Sequence, residues 1–170
     1  MLRYLILCLY RKIPASKAVA FFNNSNLSRN KKNRILKKAG LNITGRPNIK
    51  APFYFETGNI ILAERVFINI NCFFMDNAPI AIGQKTMIGP NVTISTADHP
   101  IIADDRTSVS AKSVTIGSNV WIGAGAVILP GVTIGDNSII GANSVVNCDV
   151  PANCLYAGTP AKFKKSLWLQ

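Results

Sequence analysis

The sequence contains a single histidine, His99, and four cysteines, none of them in a CxxC pair. Zinc sites in proteins are built from closely spaced histidines and cysteines. A chain of this composition offers no such cluster, so we expect that no metal is required. The cysteine spacing also gives no sign of a disulfide framework, which favours the reducing environment of the cytoplasm.

Long hydrophobic runs are missing as well. The best candidate, residues 4–10, is far shorter than the ~20 residues that a membrane-spanning helix needs. A signal peptide is disfavoured because basic residues interrupt the approach to residues 18–20, the segment that resembles a cleavage site. The run does carry apolar residues at helical spacing before Pro14, which predicts an amphipathic first helix. Those residues are Leu2, Leu5, Ile6, Leu9 and Ile13.

Acidic residues are absent from residues 1–50, which hold twelve of the 19 Lys and Arg residues. Residues 29–38 have helical character and precede Gly40, a helix-ending signal. Two interpretations of the charge stay open: a solvated face that docks on the rest of the protein, or peripheral attraction to anionic lipid headgroups at the inner face of a membrane. Nucleic acid is disfavoured as a partner because no binding motif and no interleaved aromatic residues accompany the bases.

What the sequence has in abundance is a six-residue repeat. In residues 116–150 an aliphatic residue recurs at every sixth position, and glycine follows it in four of the six hexads. The aliphatic positions are Ile116, Ile122, Ile128, Ile134, Ile140 and Val146. Four residues after each of these stand Val120, Ala126, Val132, Ser138, Ser144 and Val150.

A period of six predicts strands, because it would spread the aliphatic residues around three sides of an α-helix. In an extended chain six is an even number, so the aliphatic residue and the one four places later share a face. Glycine once per hexad is expected to supply the permissive backbone for repeated turns. Repeats of this kind coil into a solenoid whose inward side chains stack as a column.

The register extends towards the N-terminus with two interruptions. Between Phe74 and Ile82 the step is eight residues, which implies a two-residue insertion, and residues 100–113 contain no hexad and should leave the column as an excursion. The aromatic segment 52–58 fits no hexad. Cys72 falls at an inward small position and is predicted to fill the core. The earlier column positions are Ile43, Ile49, Leu62, Val66, Ile68, Thr86, Ile88, Val92 and Ile94.

This pattern resembles the hexapeptide-repeat acyltransferases. The resemblance implies an all-β fold, a left-handed parallel β-helix with three hexads per coil, and a homotrimer with active sites between subunits. We predict a basic, mostly helical segment at residues 1–40, the β-helix at 41–158 with an excursion loop at about 100–113, and a basic tail at 159–170.

The segment NVTISTADHP, residues 91–100, resembles the active-site stretch of the maltose, galactoside and nodulation-type O-acetyltransferases. The matching histidine of that family is the catalytic base, and the resemblance gives this role to His99. One histidine suffices for the chemistry: neutral imidazole takes the proton of a sugar hydroxyl that attacks the thioester of acetyl-coenzyme A, then passes it to the departing thiolate. No covalent acyl-enzyme is needed.

On the acceptor side, the resemblance implies contacts with the sugar or its pocket for Asn69, Asp76, Asn77, Arg106 and Trp121. Asp76 and Asn77 match a pair of positions that are often both acidic, so Asn77 removes one charge from the expected site. Two alternatives stay open. Asn69 and Asp76 are also residue types that form turns, and Arg106 could pair with Asp105 instead of shaping the pocket.

On the coenzyme side, the resemblance implies contacts for Gly123, Ala124, Ala142, Asn147, Lys162 and Lys165. The backbone N–H of Gly123, from a neighbouring subunit, is the predicted donor to the carbonyl oxygen. The two lysines would meet phosphates. Asn147 departs from the family pattern, so one coenzyme contact is in doubt. The alternative for the two alanines is that solenoid faces simply favour small residues.

The predicted function is therefore acetyl-coenzyme A-dependent O-acetylation of a sugar hydroxyl. Because residues 1–40 resemble acetyltransferases of capsule, O-antigen or exopolysaccharide gene clusters, the leading hypothesis is a sugar of a bacterial surface polysaccharide, with a lipid-linked acceptor as one form. A maltose- or galactoside-type enzyme for soluble sugars and a non-catalytic trimeric scaffold are the alternatives. A γ-type carbonic anhydrase is excluded, because it needs three histidine ligands for zinc.

Overall fold

The computed structural model describes residues 2–167 as a β-solenoid of about six turns preceded by three short helices. The solenoid and its N-terminal helices confirm the predicted architecture. The helices are α1 (Leu2–Leu9), α2 (Ala15–Asn23) and α3 (Arg29–Lys38).

Each of the first five turns of the solenoid is a coil of three short strands. The first two coils comprise β1 (Asn42–Ile43), β2 (Asn48–Ile49), β3 (Phe53–Phe55), β4 (Ile60–Leu62), β5 (Phe67–Ile68) and β6 (Cys72–Met75). The third comprises β7 (Ile80–Ile82), β8 (Met87–Ile88) and β9 (Thr93–Ser95), followed by the two strands of the excursion, β10 (Ala97–Asp98) and β11 (Ser110–Ala111). The remaining strands are β12 (Val114–Ile116), β13 (Trp121–Ile122), β14 (Val127–Ile128), β15 (Thr133–Ile134), β16 (Ile139–Ile140), β17 (Val145–Val146), β18 (Cys154–Ala157) and β19 (Lys162–Ser166).

Strands of successive coils pair in parallel and form three faces. The first face contains β1, β4, β7, β12 and β15; the second contains β2, β5, β8, β13, β16 and β18, with β19 antiparallel at its end; the third contains β3, β6, β9, β14 and β17. The predicted tail at 159–170 therefore includes a strand, and only residues 168–170 of it lie outside the described residues.

The core is the column that the hexads predict. Every inward position of residues 116–150 is buried, from Ile116 to Val150, and so are the earlier positions from Ile43 onwards. The segment that fits no hexad joins the column as β3, where the rings of Phe53 and Phe74 meet edge to face with centroids 5.1 Å apart. Cys72 is fully buried, and burial raises the pKa of its thiol to about 11. Its role as core filler is the one its position shows.

The expected role of the repeated glycines is wrong in one respect. Gly123 and Gly135 are not among the residues with positive φ. A Cβ at Gly123 would instead lie 2.5 Å from the backbone nitrogen of Ala142 in the next coil, and one at Gly135 would lie 2.4 Å from that of Ala152. These glycines let neighbouring coils approach each other. Among residues other than glycine, the left-handed turns are made mostly by asparagine, which tolerates that conformation, as at Asn137 with φ 60°.

The solenoid has one irregular edge, between the third and first faces, which we call the insertion edge. From the last inward residue of the third face to that of the first, the chain takes seven residues in one coil (Phe55 to Leu62), eight in the next (Phe74 to Ile82) and twenty-two in the third (Ile94 to Ile116). The following step is a plain hexad. All inserted residues of the described solenoid thus project from the same edge.

The edge between the second and third faces has the same six-residue step between inward residues in every coil, as from Ile88 to Ile94 and from Ile122 to Ile128, and we call it the narrow edge. Its turns are residues 50–52, 69–71, 89–92, 123–126 and 141–144. Backbone hydrogen bonds join them from coil to coil, as from Gly125 N to Pro90 O at 2.9 Å and from Asn143 N to Ala124 O at 2.8 Å. The narrow edge is therefore a regular backbone ladder.

The three helices close the N-terminal end of the column. The Asn23 amide exchanges two hydrogen bonds with the Phe53 backbone, at 2.9 and 3.1 Å, and buried Asn33 donates to Pro47 O at 3.1 Å. Helix α3 ends at Lys38, and the predicted helix-ending residue Gly40 follows with a φ of 114°, a conformation that favours glycine. Helix α1 ends at Leu9, four residues before the predicted Ile13, which is buried separately.

Candidate active site

His99 lies in the excursion, immediately after β10. Its Nδ1 is 2.8 Å from Arg106 O and 3.0 Å from Ser108 O. Carbonyl oxygens only accept hydrogen bonds, so Nδ1 must carry the hydrogen and Nε2 must carry the lone pair in the neutral ring. The side chain is exposed in the single chain. The clamp on Nδ1 thus fixes the imidazole as a base whose free nitrogen is Nε2.

The hairpin that holds His99 is built by its own backbone. Strands β10 and β11 pair antiparallel, with Ala97 opposite Ala111, and Lys112 N donates to Thr96 O at 2.8 Å where the chain rejoins the column. The Asp98 carboxylate accepts from the N–H of His99 at 2.9 Å. These contacts set the direction in which the imidazole leaves the hairpin.

Arg106 acts on His99 through its main chain. Its carbonyl accepts from the imidazole, while its guanidinium donates to Ile101 O at 3.2 Å within the same hairpin. The guanidinium of Arg106 therefore bonds Ile101 O and not Asp105, the partner in the alternative interpretation. Sequence analysis missed the part that the carbonyls of Arg106 and Ser108 play, because a backbone acceptor leaves no mark on residue type.

Asp76 takes the structural alternative rather than the predicted contact with an acceptor. It is completely buried, and its carboxylate accepts from the backbone N–H groups of Glu56, Thr57, Gly58 and Asn59 at 2.6 to 3.0 Å. Four donors converge on one carboxylate because the turn of the preceding coil carries an inserted residue and needs a cap. With no exposed surface, Asp76 reaches no sugar in this conformation.

Its neighbour Asn77 and the earlier Asn69 remain accessible. Asn77 is exposed on the insertion edge, next to Ala78, whose N–H donates to buried Thr96 Oγ1 at 2.9 Å. Asn69 is half-buried on the narrow edge, and its Oδ1 accepts from Ile70 N at 2.8 Å. Their predicted contacts with an acceptor stay predictions.

The backbone N–H of Gly123 is not available for its predicted role. Its N–H already donates to Ile140 O at 2.8 Å, so it is not free to meet a carbonyl oxygen. The next residue, Ala124, is exposed, and within residues 2–167 its N–H has no recorded acceptor. Ala142 is exposed at the same position of the coil above. The narrow edge therefore offers Ala124 N–H where sequence analysis expected Gly123.

The other predicted residues lie around these two edges. Trp121 stands 51% exposed on the second face, just before the narrow edge. Asn147 is exposed on the insertion edge, and Lys162 and Lys165 are exposed on β19 at the end of the second face.

One chain does not bring its predicted site residues together. His99 lies on the insertion edge with Asn77 and Asn147, whereas Asn69, Ala124 and Ala142 lie on the narrow edge. The third face separates the two edges, and its six-residue step spans about 20 Å of extended chain.

Comparison with known proteins agrees with the fold and the hexads. The family described as "Bacterial transferase hexapeptide (six repeats)" matches residues 113–148. The galactoside O-acetyltransferase of Escherichia coli is 39% identical over 145 residues, 83% of this chain and 71% of that enzyme. The chain belongs to the hexapeptide-repeat acetyltransferases. Nodulation protein L of Rhizobium leguminosarum is 49% identical over 68% of this chain and 63% of that protein, and a Schizosaccharomyces pombe relative is covered over 58% of its length.

Solved members of this acetyltransferase family have the same architecture. The maltose O-acetyltransferase of Clostridium difficile superposes with a TM-score of 0.86 at 38% identity, covering 96% of this chain and 89% of that one. The hexapeptide-repeat acetyltransferase VCA0836 of Vibrio cholerae, solved in complex with acetyl-coenzyme A, also gives 0.86, at 36% identity over 91% and 85%.

The part of the chain that the structure describes contains no group of three or more His, Cys, Asp or Glu side chains that could hold a metal ion. None of its helices has the length and apolarity needed to cross a bilayer. All four cysteines are free thiols.

Proposed function

We propose that the protein transfers the acetyl group of acetyl-coenzyme A to a hydroxyl of a soluble sugar, in the manner of the maltose and galactoside enzymes. The observation that carries the proposal is the clamp on His99, which leaves Nε2 as the free base in a chain whose relatives include proteins named for sugar acetylation. The complex of the V. cholerae relative supports acetyl-coenzyme A as the donor.

The reaction is a direct transfer. Nε2 of His99 takes the proton of the sugar hydroxyl while the hydroxyl oxygen attacks the thioester carbonyl. The charge that develops on the carbonyl oxygen accepts a hydrogen bond from Ala124 N–H. The carbon–sulfur bond then breaks, and the proton passes from Nε2 to the departing thiolate. The products are the O-acetyl sugar and coenzyme A.

The active site is completed between subunits of a homotrimer. If parallel columns pack side by side around an axis along their length, each residue meets a neighbour at equal height. His99 follows the third coil and Ala124 lies in the fourth, so the insertion edge of one chain and the narrow edge of the next bring them to similar heights. Asn69, in the second coil, comes below the base, and Ala142, in the fifth, comes above it. Acceptor and coenzyme would thus enter from opposite ends.

The sequence hypothesis of a surface-polysaccharide acceptor receives less support than its alternative. The relatives named above are sugar and nodulation acetyltransferases, and none of them is tied by its name to capsule or O-antigen synthesis. A lipid-linked acceptor is therefore kept as one arm of the assay. Because all four thiols are free, we propose a cytoplasmic location.

The decisive experiment measures thiol release from acetyl-coenzyme A with free, nucleotide-linked and lipid-linked sugars, using the full chain and His99→Ala side by side. We expect release that requires both His99 and a free sugar. Release only with lipid-linked sugar would replace the proposed acceptor. Acceptor-dependent release that survives in His99→Ala would overturn the mechanism, and no release by a protein that binds the coenzyme would favour the scaffold.

A further inference from the structure

Helix α1 is apolar on both of its sides. Tyr4 and Leu7 are buried against the rest of the helical layer, while Leu5 is 54% exposed and Leu9 85% exposed. Ile6 is also largely exposed. Three residues of the apolar stripe that the sequence predicts, Leu5, Ile6 and Leu9, therefore face solvent in the single chain, whereas Ile13 is buried. A helix that is hydrophobic all round is normally covered on all sides, so the outer face of α1 lacks its cover in the single chain.

The neighbouring helices show how a solvent-facing surface of this layer is made. Helix α2 turns Ser16 and Lys17 outward, and α3 turns Arg29, Asn30 and Lys37 outward. Both bury their apolar side only. Helix α1 is the exception, although it belongs to the same layer and is of similar length.

The apolar outer face of α1 continues into a groove beside α2. The groove has a volume of about 830 Å³ and is lined by Ile6, Tyr10, Phe21 and Leu27, with Lys17 at its rim. The ammonium group of Lys17 lies 5.9 Å from the centroid of the Tyr10 ring. Apolar surface and positive charge therefore meet at the end of α1.

The charge around this surface selects its partner. Residues 1–50 carry twelve cations and no acid, and exposed Arg11 and Lys12 directly follow the apolar face. A second copy of the layer would bring the same charges into contact and would be repelled. An anionic lipid surface offers acyl chains to the apolar face and phosphate groups to the cations.

We propose that the protein docks on anionic membrane surfaces through the outer face of α1. Leu5 and Leu9 enter the boundary between headgroups and acyl chains, and the cations beside them contact lipid phosphates. This contact goes beyond the proposed acetyl transfer and does not depend on it.

The test is flotation of the full chain with phosphatidylcholine vesicles, with and without phosphatidylglycerol. We expect binding to the anionic vesicles that weakens with salt. Leu5→Ser with Leu9→Ser, which leaves the charge unchanged, should lower partitioning at least about tenfold. Arg11→Gln with Lys12→Gln should lower it about tenfold on anionic vesicles only. Ser16→Ala with Asn30→Ala, on the outer sides of α2 and α3, is the matched control and should bind like the parent.

The proposal is overturned if the parent chain does not float with anionic vesicles, or if the serine pair floats equally well. A change of mass in light scattering on introducing the serine pair, without parental flotation, would assign the face to another copy of the chain. Thiol release with a soluble sugar is measured in parallel and should be equal in all variants, so failure of docking and failure of the acetyltransferase reaction are separate outcomes.

Discussion

The two edges that carry the candidate site are built in opposite ways. The narrow edge repeats one six-residue step in every coil, and backbone hydrogen bonds join its turns from coil to coil. The insertion edge differs in length from coil to coil and carries His99 on a hairpin. The two edges therefore differ in what can vary: the repeat fixes the length of the narrow edge, whereas insertions change the length of the insertion edge from coil to coil.

The largest expected effect comes from removing the base on the insertion edge. His99→Ala should lower turnover by at least ~100-fold and leave coenzyme affinity unchanged, because it removes proton transfer alone. Steady-state kinetics and calorimetry with coenzyme A measure the two quantities. Asp104→Ala, at an exposed position of the same excursion, is the matched control. Full turnover in His99→Ala would refute its assignment.

Asp76 tests whether the insertion edge also has a purely structural element. Asp76→Ala leaves four backbone N–H groups, that of Gly58 buried, without their acceptor and should reduce the free energy of unfolding by about 3 kcal/mol. Asn77→Ala, at the exposed neighbouring position, should leave stability unchanged. Denaturant unfolding measures both. Equal stability of all three proteins would mean that the turn needs no cap.

The narrow edge should be sensitive to a single methyl group. In Gly123→Ala the added Cβ meets the Ala142 nitrogen at 2.5 Å, so the coils must separate, at a cost of about 1 to 3 kcal/mol. Gly135→Ala makes a similar clash with Ala152 on another edge and provides the control. Both variants should melt at a lower temperature, but only Gly123→Ala should also weaken the binding of acetyl-coenzyme A. If both affinities stay at the parental value, Ala124 N–H is not part of the donor site.

The charge at the end of the second face should act on binding only. Lys162→Ala should raise the KM for acetyl-coenzyme A about tenfold with unchanged turnover, because a phosphate contact is made equally before and during reaction. Lys164→Ala, on the same strand, should have a smaller effect. A defect confined to turnover would contradict the phosphate role.

The smallest effect separates the column from its surface. Cys148 is exposed and should react with a thiol reagent in the native protein, whereas buried Cys72 should react only on unfolding. Burial raises the pKa of Cys72 from 9.0 to about 11, so the folded state holds this proton more tightly. That contribution to stability is complete below pH 9 and is lost as the pH rises from 9 to 11. Mass spectrometry of labelled peptides distinguishes the two thiols.

The column was predictable because its cause is periodic. An even repeat with alternating burial identifies the inward residues one by one, and the structure buries Ile116 and Val150 accordingly. The place of Phe53 in the column was not predicted, because an aromatic side chain stands where the repeat has a smaller one. The end of α1 at Leu9 was not predicted, because a proline such as Pro14 shows only that a helix cannot continue through it, and a helix can end earlier.

The site was less predictable, since much of it consists of backbone. His99 stood out as the only histidine, but its clamp uses the carbonyls of Arg106 and Ser108. Asp76 was assigned to the sugar because an aspartate can accept from a hydroxyl or from an N–H, and only coordinates distinguish the two. Gly123 was one residue from the free N–H, since a ladder bond to Ile140 cannot be read from residue type.

The uniform stacking of the coils gives the column a regular spacing along its axis. Adjacent coils are about 4.8 Å apart, the spacing of paired strands, so the height of every functional group above the helical layer is a whole number of steps. The hairpin of His99 leaves at the third step. Duplicating or deleting one complete coil beneath it would shift the catalytic group by one step while keeping its local geometry. The position of the catalytic group along the axis of the column can thus change in this fold without a change in the reaction that the group performs.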